Sequence, residues 1–373
     1  MFGKWINLFI RCQGLTKNVD RFIHVPNRFY NIELIPDSSL FGNSWVFEGD
    51  GFHGLHNIFV LAKTLGMFSN LKMEWSEYSF YYTDHIEVPL AEGHRFPMQK
   101  YRMVREKLVD ENILQNSQLF KAPLVSDADL LRAHVPQYVY GLKNNTLSEK
   151  ELRPIGLPWS EELLLRSYTS VGGFVAASES ALINGFSALL AGGTHHAHAD
   201  KGEGYCVFND FAVAGLKLIE NQKVKKILIL DLDVHQGNGN SSILGKRDDF
   251  FIMSIHGERN YPFRKVPSHM DIALPEKTND ADYLSALRRG LSLIHFDFDI
   301  IFYQAGVDNL KEDSLGTFDL SFEGLKARDQ IVFEFSKGFP LAMAIGGGYA
   351  KPIDLTVQAH VNTFKVAREI LSV

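Results

Sequence analysis

The sequence Asp231-Leu-Asp-Val-His-Gln-Gly-Asn-Gly239 closes an apolar run at residues 224–230 that is rich in Ile and Leu. Such a run predicts a buried strand. Because side chains alternate along a strand, Asp231, Asp233 and His235 project from one face, and the glycines that follow predict a turn. Two interpretations fit this stretch. It could hold a divalent metal through oxygen and nitrogen donors, or it could be an acidic strand end hydrogen-bonded to a following helix.

Apolar strands alternate with helical segments on both sides of this motif. Strands are predicted at 80–82, 250–256, 298–304 and 341–345, and helices at 161–184, 211–220, 283–295 and 322–337. The first of these helices is expected to be interrupted at Gly172-Gly173. The alternation predicts an α/β fold with a central parallel sheet and helices on both faces. In such sheets, functional groups gather beyond the carboxyl ends of the strands.

Polar motifs follow four of the apolar segments. Besides the motif at 231–239, they are Gly192-Gly-Thr-His-His-Ala-His-Ala-Asp200, Ala305-Gly-Val-Asp308 and Gly346-Gly-Gly-Tyr349. Each places His, Asp or Tyr beside glycine, the residue that lets a backbone approach a ligand closely. One such coincidence is weak evidence, but four together make a zinc or related metal site the leading interpretation.

Composition restricts the class of protein. The chain has 373 residues and a net charge of −6, so it lacks the basic excess that direct nucleic-acid binding requires. Its two cysteines do not form a disulfide framework, and no apolar run is long enough for a membrane span. We expect a soluble intracellular protein located in the cytoplasm; a nuclear or organellar location and the oligomeric state stay open.

The domain organisation is predicted to have two parts. Residues 1–75 form an N-terminal extension of unknown role, which could be a weak targeting presequence or an amphipathic helix docked on the main domain. Residues 76–373 form one catalytic domain, large enough for a substantial core.

The chain resembles the zinc-dependent histone deacetylase family. The resemblance is carried by GGTHHAHAD, GEGYCVFND, DLDVHQGNG, AGVD and GGGY, all in the family's order, and it runs from about residue 80 to the C-terminus. HQGNG and the short domain are nearest to the bacterial and class IV branch. The resemblance implies a single arginase-deacetylase-like domain.

The resemblance also implies the metal ligands and the acid-base pair. Asp233, His235 and Asp308 match the zinc ligands, which leave a coordination position for water and for the substrate carbonyl. His195 and His196 match the tandem histidines. His196 would be the base that takes a proton from the attacking water, and His195 would stay charged and protonate the leaving amine.

Further roles follow from the same resemblance. Tyr349 would donate a hydrogen bond to the developing oxyanion. Asp231 would orient His195 and, with Ser254 and backbone carbonyls nearby, help to bind a structural K⁺ or Na⁺ ion. Asn238 stands where many relatives have an aspartate paired with the base; an amide can orient the imidazole but stabilises its charged form less. The acyl-lysine tunnel would be lined by Gly204, Tyr205, Tyr261 and Leu315.

These assignments predict a zinc amidohydrolase that removes acetyl or longer acyl groups from the ε-amine of lysine in a peptide or protein. One alternative keeps the chemistry but acts on acetylpolyamines or another small acylated amine. A second is a non-catalytic, zinc-bound scaffold that binds acyl-lysine, and a third is a binuclear manganese ureohydrolase. The acyl-chain preference and the natural substrate do not follow from the sequence.

Overall fold

The computed structural model describes residues 10–12, 43–45 and 73–372. Two compact units divide the chain, Met1–Leu71 and Lys72–Val373. In the first unit, strands β1 (Ile10–Cys12) and β2 (Asn43–Trp45) pair antiparallel. The presequence and docked-helix interpretations of the N-terminal extension concern residues that lie largely outside the described ones, and the boundary at residue 75 stays a prediction.

The second unit is built on an eight-stranded sheet in which every neighbouring pair is parallel. Its strand order is β4-β3-β5-β10-β9-β6-β7-β8. The strands are β3 (Ser79–Tyr82), β4 (Leu119–Lys121), β5 (Phe186–Leu189), β6 (Ile227–Asp231), β7 (Phe250–Gly257), β8 (Met270–Leu274), β9 (Ile300–Gln304) and β10 (Leu341–Ala344). The predicted α/β fold with a central parallel sheet is confirmed.

Helices connect the strands. They are α1 (Lys100–Asp110), α2 (Asp127–Leu130), α3 (Pro136–Lys143), α4 (Glu149–Leu152), α5 (Glu161–Asn184), α6 (Asp210–Glu220), α7 (Asn238–Leu244), α8 (Asp280–Ser292), α9 (Phe322–Phe335) and α10 (Ile353–Leu371). Capping side chains mark several starts: Ser160 accepts from the N–H of Leu163 at α5, and Asn209 accepts from Ala212 at α6. Among the described residues, no helix is long and apolar enough to cross a membrane.

The predicted interruption of the long helix was wrong, because α5 continues through Gly172 and Gly173. Both glycines are needed for close packing rather than for a break. A Cβ on Gly172 would lie 2.1 Å from the carbonyl oxygen of Pro123, and one on Gly173 would lie 2.7 Å from a methyl group of Leu189 on β5. Helix α5 therefore lies directly against its neighbours, and the helical hydrogen bonds compensate for the poor helix propensity of glycine.

The four polar motifs follow four adjacent strands. Strands β5, β10, β9 and β6 are neighbours in the sheet, and every residue in them is buried. Because the strands are parallel, their carboxyl ends lie at one edge, so motifs that are far apart in sequence are brought together. The order of strands in the sheet, which the sequence does not reveal directly, thus creates the site.

Candidate active site

Three side chains suited to metal binding converge beyond β6 and β9. One ligand atom from each of Asp233, His235 and Asp308 lies within 4.8 Å of the other two. Nδ1 of His235 lies 3.0 Å from Oδ1 of Asp233 and 3.2 Å from Oδ2 of Asp308. The remaining carboxylate oxygens accept backbone N–H groups from Gly347 and Val234. Each carboxylate is therefore held with one oxygen directed towards the imidazole.

A divalent cation fits the chemistry of this donor set. All three side chains are buried. Burial and the negative charge of Asp233 raise the pKa of Asp308 to about 7. Burial alone would lower the pKa of His235, but hydrogen bonds to the two carboxylates raise it to about 10. A cation among these atoms would replace the proton that His235 shares with the two carboxylates, and it would offset the repulsion between them. Two carboxylates and one imidazole are ligands that Zn²⁺ accepts.

His195 is oriented by a buried carboxylate. Its Nδ1 lies 2.8 Å from Oδ2 of Asp231. Burial lowers the pKa of His195, but the charges of Asp231 and Asp233 outweigh that effect and raise it to about 9. Gly237 allows this contact, because a Cβ there would lie 2.2 Å from Oδ2 of Asp231. The imidazole is thus positioned to carry a proton at neutral pH.

His196 has a neutral partner and a different charge state. Its Nδ1 lies 2.7 Å from Oδ1 of Asn238, whose Nδ2 donates to Oε1 of Glu203 at 2.7 Å. Burial and the charges of His195 and His235 hold the pKa of His196 well below its usual value. This imidazole is therefore neutral at neutral pH, with Nδ1 committed to the amide, and Nε2 is the nitrogen available to accept a proton.

The loop that carries Tyr349 is fixed by its backbone. Its N–H donates to Oδ2 of Asp313, its carbonyl oxygen accepts from Oγ of Ser314, and Nζ of Lys100 donates to the carbonyl oxygens of Gly346 and Gly348. Burial raises the pKa of Tyr349 well above its usual value, with further contributions from nearby acidic groups. The phenol therefore stays protonated and can donate a hydrogen bond.

A cavity of about 490 Å³ joins these groups to the predicted tunnel residues. Its lining includes the four predicted tunnel residues Gly204, Tyr205, Tyr261 and Leu315. The tandem histidines, Tyr349 and the three side chains suited to metal binding line the same cavity. The ring centre of Tyr261 lies 5.0 Å from that of His196, and the ring centre of Tyr205 lies 6.1 Å from that of Tyr349. The structure thus brings the predicted tunnel residues to the predicted catalytic groups.

The predicted monovalent-cation residues lie side by side on neighbouring strands. Asp231 on β6 is paired in register with Ser254 on β7. Oγ of Ser254 lies 2.9 Å from Nδ1 of His256, so its hydroxyl is already engaged with a side chain. The assignment of a K⁺ or Na⁺ ion to this place stays a prediction.

Sequence reasoning missed several residues that support the site. Glu203 stands inside the quoted GEGY motif, where a carboxylate beside a tunnel glycine was a usable signal. Phe96, whose ring centre lies 5.1 Å from that of Tyr205, comes from a segment before α1 that carries no motif. Asp313 and Lys100 act on the backbone of a loop distant in sequence, and nothing local to either residue indicates that role.

The comparison with protein families now decides the relationship. The model of the histone deacetylase domain matches residues 94–364. The chain belongs to the histone deacetylase family. This match covers the cluster of Asp233, His235 and Asp308, both tandem histidines and the tyrosine loop, and it confirms the family that the motifs indicated.

Individual relatives span most of this histone deacetylase-family chain. An uncharacterised protein of Picosynechococcus is 38% identical over 294 residues, which cover 78% of this chain and 98% of the relative. A histone deacetylase-like amidohydrolase of Pseudomonas aeruginosa is 29% identical and covers 71% of this chain and 75% of its own length. Histone deacetylase 2 of Arabidopsis thaliana is 29% identical and covers 69% of this chain and 70% of its own length.

A solved structure shows the same fold. The crystal structure of a histone deacetylase homologue from Aquifex aeolicus superposes with a TM-score of 0.66 at 22% identity, covering 79% of this chain and 88% of the other. At this level of identity the similarity concerns the fold. It supports the arginase-like α/β architecture expected from the sequence.

Proposed function

We propose that this protein is a zinc-dependent deacylase that hydrolyses the amide of N-ε-acyl-lysine in peptides or proteins. The observation that carries the proposal is the convergence of Asp233, His235 and Asp308 within 4.8 Å of one another, in a cavity that also contains Tyr349 and the tandem histidines. A metal-binding cluster alone would serve many functions. Its combination with two histidines of different charge and a protonated phenol suits amide hydrolysis.

The three ligand residues would hold Zn²⁺, which when bound polarises the acyl carbonyl and makes water more acidic. Nε2 of His196 accepts the proton of the attacking water, because its Nδ1 is committed to Asn238. The hydroxyl of Tyr349 donates a hydrogen bond to the acyl oxygen as negative charge develops there. His195, held by Asp231 in its charged form, stabilises that charge and supplies a proton to the leaving amine.

The cavity walls favour a linear alkyl chain next to the acyl group. Tyr205 and Tyr261 are half-buried, and their rings line the cavity beside the tandem histidines and Tyr349. Aromatic rings can contact the methylene groups of a lysine side chain while excluding water from the reacting amide. This lining supports lysine as the amine, and it leaves acetylpolyamines as the next substrates to test.

The test is hydrolysis of lysine peptides acylated with groups from acetyl to myristoyl, by protein whose zinc content has been measured. We expect turnover in the wild type and a loss of about 10²–10³-fold in kcat in Tyr349→Phe, because one oxyanion donor is removed. Tyr140→Phe, which changes an exposed tyrosine on α3, is the matched control and should have wild-type turnover.

Absence of turnover on every peptide, with zinc bound, would contradict the proposal. Acetylpolyamines would then distinguish a small-molecule deacetylase from a scaffold that binds acyl-lysine without cleaving it. Turnover that survives Tyr349→Phe unchanged would remove the phenol from the mechanism while leaving the reaction intact.

A further inference from the structure

The active-site cavity continues inward to a face of α5 that the proposed reaction does not use. Arg95 and Phe263, both exposed, line its mouth, whereas Arg166 and Ser170 are 8% and 9% exposed and line its interior. The part of the cavity beside α5 is therefore enclosed by buried side chains, in contrast to the exposed mouth.

Arg166 places a buried positive charge in this part of the cavity. Its Nη1 donates to the carbonyl oxygens of Thr83 and Ile86 at 3.0 and 3.3 Å, and its guanidinium carbon lies 4.6 Å from the ring centre of Tyr101. Among the described residues, no carboxylate forms an ion pair with it. Arginine stays charged even when burial lowers its pKa, and a buried charge without a counter-ion is costly.

The nearby acids are committed elsewhere. Asp84 is bound by Arg105, whose Nη2 lies 2.8 Å from its Oδ2. Asp210 accepts the backbone N–H groups of Gly193 and Thr194 at 2.7 and 2.9 Å. The guanidinium, which lines the cavity, interacts with Tyr101 and is influenced by the charge of Asp84, but it has no ion-pair partner among the described residues and keeps part of its hydrogen-bonding capacity for an anion.

Ser170 adds a second donor on the same face. It lies four residues after Arg166 on α5, so the two side chains are neighbours along the helix. The hydroxyls of Ser167 and Thr169 return to backbone carbonyls one turn earlier, at 2.7 Å each. The hydroxyl of Ser170 has no hydrogen-bond partner in the described part of the chain, and Ser170 lines the cavity.

The separation from the metal-ligand cluster matches an acyl chain. Thr83, which holds Arg166, follows β3, and Asp308 follows β9. The strand order places three strand spacings between β3 and β9, roughly 14 Å. The guanidinium of Arg166 contacts the carbonyl oxygen of Thr83, so this spacing separates the guanidinium itself from the metal-ligand cluster. A dicarboxylic acyl group with a few methylene groups, bound through its amide carbonyl at the cluster and through its carboxylate at the guanidinium, spans a separation of this order.

We propose that Arg166 and Ser170 form a carboxylate subsite, which binds the free carboxylate of a dicarboxylic acyl group such as succinyl or glutaryl. This inference rests on the proposed function, since the amide carbon of that acyl group would lie at the metal-ligand cluster. In the reaction, the amide C–N bond breaks, water supplies a hydroxyl group to the acyl carbon and a proton to the amine, and a dicarboxylate leaves. A free monocarboxylate is a second source of the same chemistry.

The first arm measures binding without turnover. The metal-loaded full chain is titrated with sodium glutarate and with sodium acetate in a calorimeter, at constant ionic strength. We expect the Kd of Arg166→Met to be roughly 10- to 100-fold higher than that of the wild type, because a charge-assisted hydrogen bond is lost. Ser170→Ala should weaken binding less. Arg95→Gln removes the same charge at the exposed mouth and should leave the Kd within about twofold. A carboxylate bound only at the metal would not respond to Arg166.

An unchanged Kd in folded Arg166→Met would overturn the subsite. If that variant does not fold, Arg166→Lys and Ser170→Ala give the answer instead, since both preserve the packing better and still alter the donors. This arm does not require activity, so a failure of the proposed function is distinguished from a failure of the subsite.

The second arm identifies the source of the carboxylate. The wild type should cleave succinyl- or glutaryl-lysine peptides, and the ratio of glutaryl to acetyl kcat/KM should fall about tenfold or more in Arg166→Met but not in Arg95→Gln. An unchanged ratio, or Arg166-dependent binding of acetate without any cleavage of dicarboxylic acyl peptides, would overturn the acyl assignment and leave a free monocarboxylate as the ligand.

Discussion

Asn238 stands between the imidazole of His196 and the carboxylate of Glu203. Its Oδ1 lies 2.7 Å from Nδ1 of His196, and its Nδ2 donates to Oε1 of Glu203 at 2.7 Å. Because a carboxylate only accepts hydrogen bonds, Glu203 fixes which end of the amide faces each neighbour. The amide oxygen must then accept from His196, so the hydrogen of that ring is on Nδ1. A carboxylate thus selects the tautomer of the base through an intervening amide.

Exchanging the two functional groups tests this relay. Asn238→Asp alone puts a second carboxylate against Glu203, and Glu203→Gln alone leaves the amide of Asn238 free to turn; each should lower kcat/KM about tenfold. The double variant Asn238→Asp, Glu203→Gln should recover most of the loss, since the new carboxylate accepts from both His196 and the glutamine. A double-mutant cycle measures the coupling. Purely additive losses would show that the two residues act independently.

The same double variant should change the pH profile. A carboxylate in direct contact with His196 favours the charged imidazole and raises its pKa, so the acid limb of the kcat/KM profile should move to higher pH. Lys201→Met, which removes an exposed partner of Glu203 but not the link to Asn238, is the control and should leave the limb in place. An unmoved acid limb in the double variant would argue against His196 as the base.

Gly347 limits the space beside the proposed metal ligands. A Cβ there would lie 2.1 Å from Oδ2 of Asp308 and 2.7 Å from Oδ2 of Asp233. Gly347→Ala should displace both carboxylates and weaken zinc binding about 10- to 100-fold, a loss typical of disturbed ligand positions. Competition with a zinc chelator measures this affinity directly. Gly338→Ala has open space around the new methyl group and should keep the affinity, though its positive φ will cost some stability.

A buried ion pair supports the loops that carry the proposed metal ligands. Arg328 on α9 contacts Asp329 at 2.8 Å and donates to the carbonyl oxygens of Leu232 and Gly306, neighbours of the ligand motifs. Arg328→Met leaves a buried carboxylate without its counter-ion, so we expect the free energy of unfolding to fall by about 3–5 kcal/mol. Lys326→Met, which breaks an exposed pair on the same helix, should change it by less than about 1 kcal/mol. Urea denaturation measures the free energy of unfolding of both variants. Equally small losses in the two would contradict the supporting role of Arg328.

The sequence predicted the side chains that carry the proposed chemistry better than it predicted the residues that hold those side chains in place. The motifs that hold Asp233, His235 and Asp308 could be recognised because each follows an apolar strand, a pattern that depends only on neighbours in sequence, whereas their assignment as metal ligands came from the family resemblance. The adjacency of β5, β10, β9 and β6 was not predicted, because strand order depends on contacts between segments that are far apart in sequence. Helix α5 was located, but its continuity through Gly172 was not, because tertiary packing and not propensity determines it.

Residues that act over long sequence distances escaped prediction. Asp313 accepts the N–H of Tyr349 across 36 positions, and Arg166 reaches Thr83 across 83. Their function depends on which carbonyl, amide or cavity lies opposite them in the fold. Hydrophobic periodicity does not carry that information, so a buried arginine on a helix is easily taken for a surface residue.

His134 gives the fold a dependence on pH that is separate from the metal site. Its Nδ1 lies 2.9 Å from the carbonyl oxygen of His198, and its Nε2 accepts the N–H of Asn209 at 2.9 Å. Protonation of Nε2 would break the second bond, and burial lowers the pKa of His134 to about 4. The unfolded chain, with a pKa near 6.5, therefore binds this proton more readily. The contribution of neutral His134 to the free energy of unfolding is fully present above about pH 6.5 and is lost as the pH falls towards 4.

The shift corresponds to about 3 kcal/mol over this range. His134→Phe removes the titration, so its free energy of unfolding should fall less steeply between pH 6.5 and 4 than that of the wild type, whatever its absolute stability. The difference in slope cancels contributions from other histidines, such as His256, whose pKa burial also lowers to about 4. Urea denaturation at several pH values provides the slopes. Parallel curves would mean that the folded state accommodates a charged His134, because the proton could then bind without loss of the Asn209 hydrogen bond.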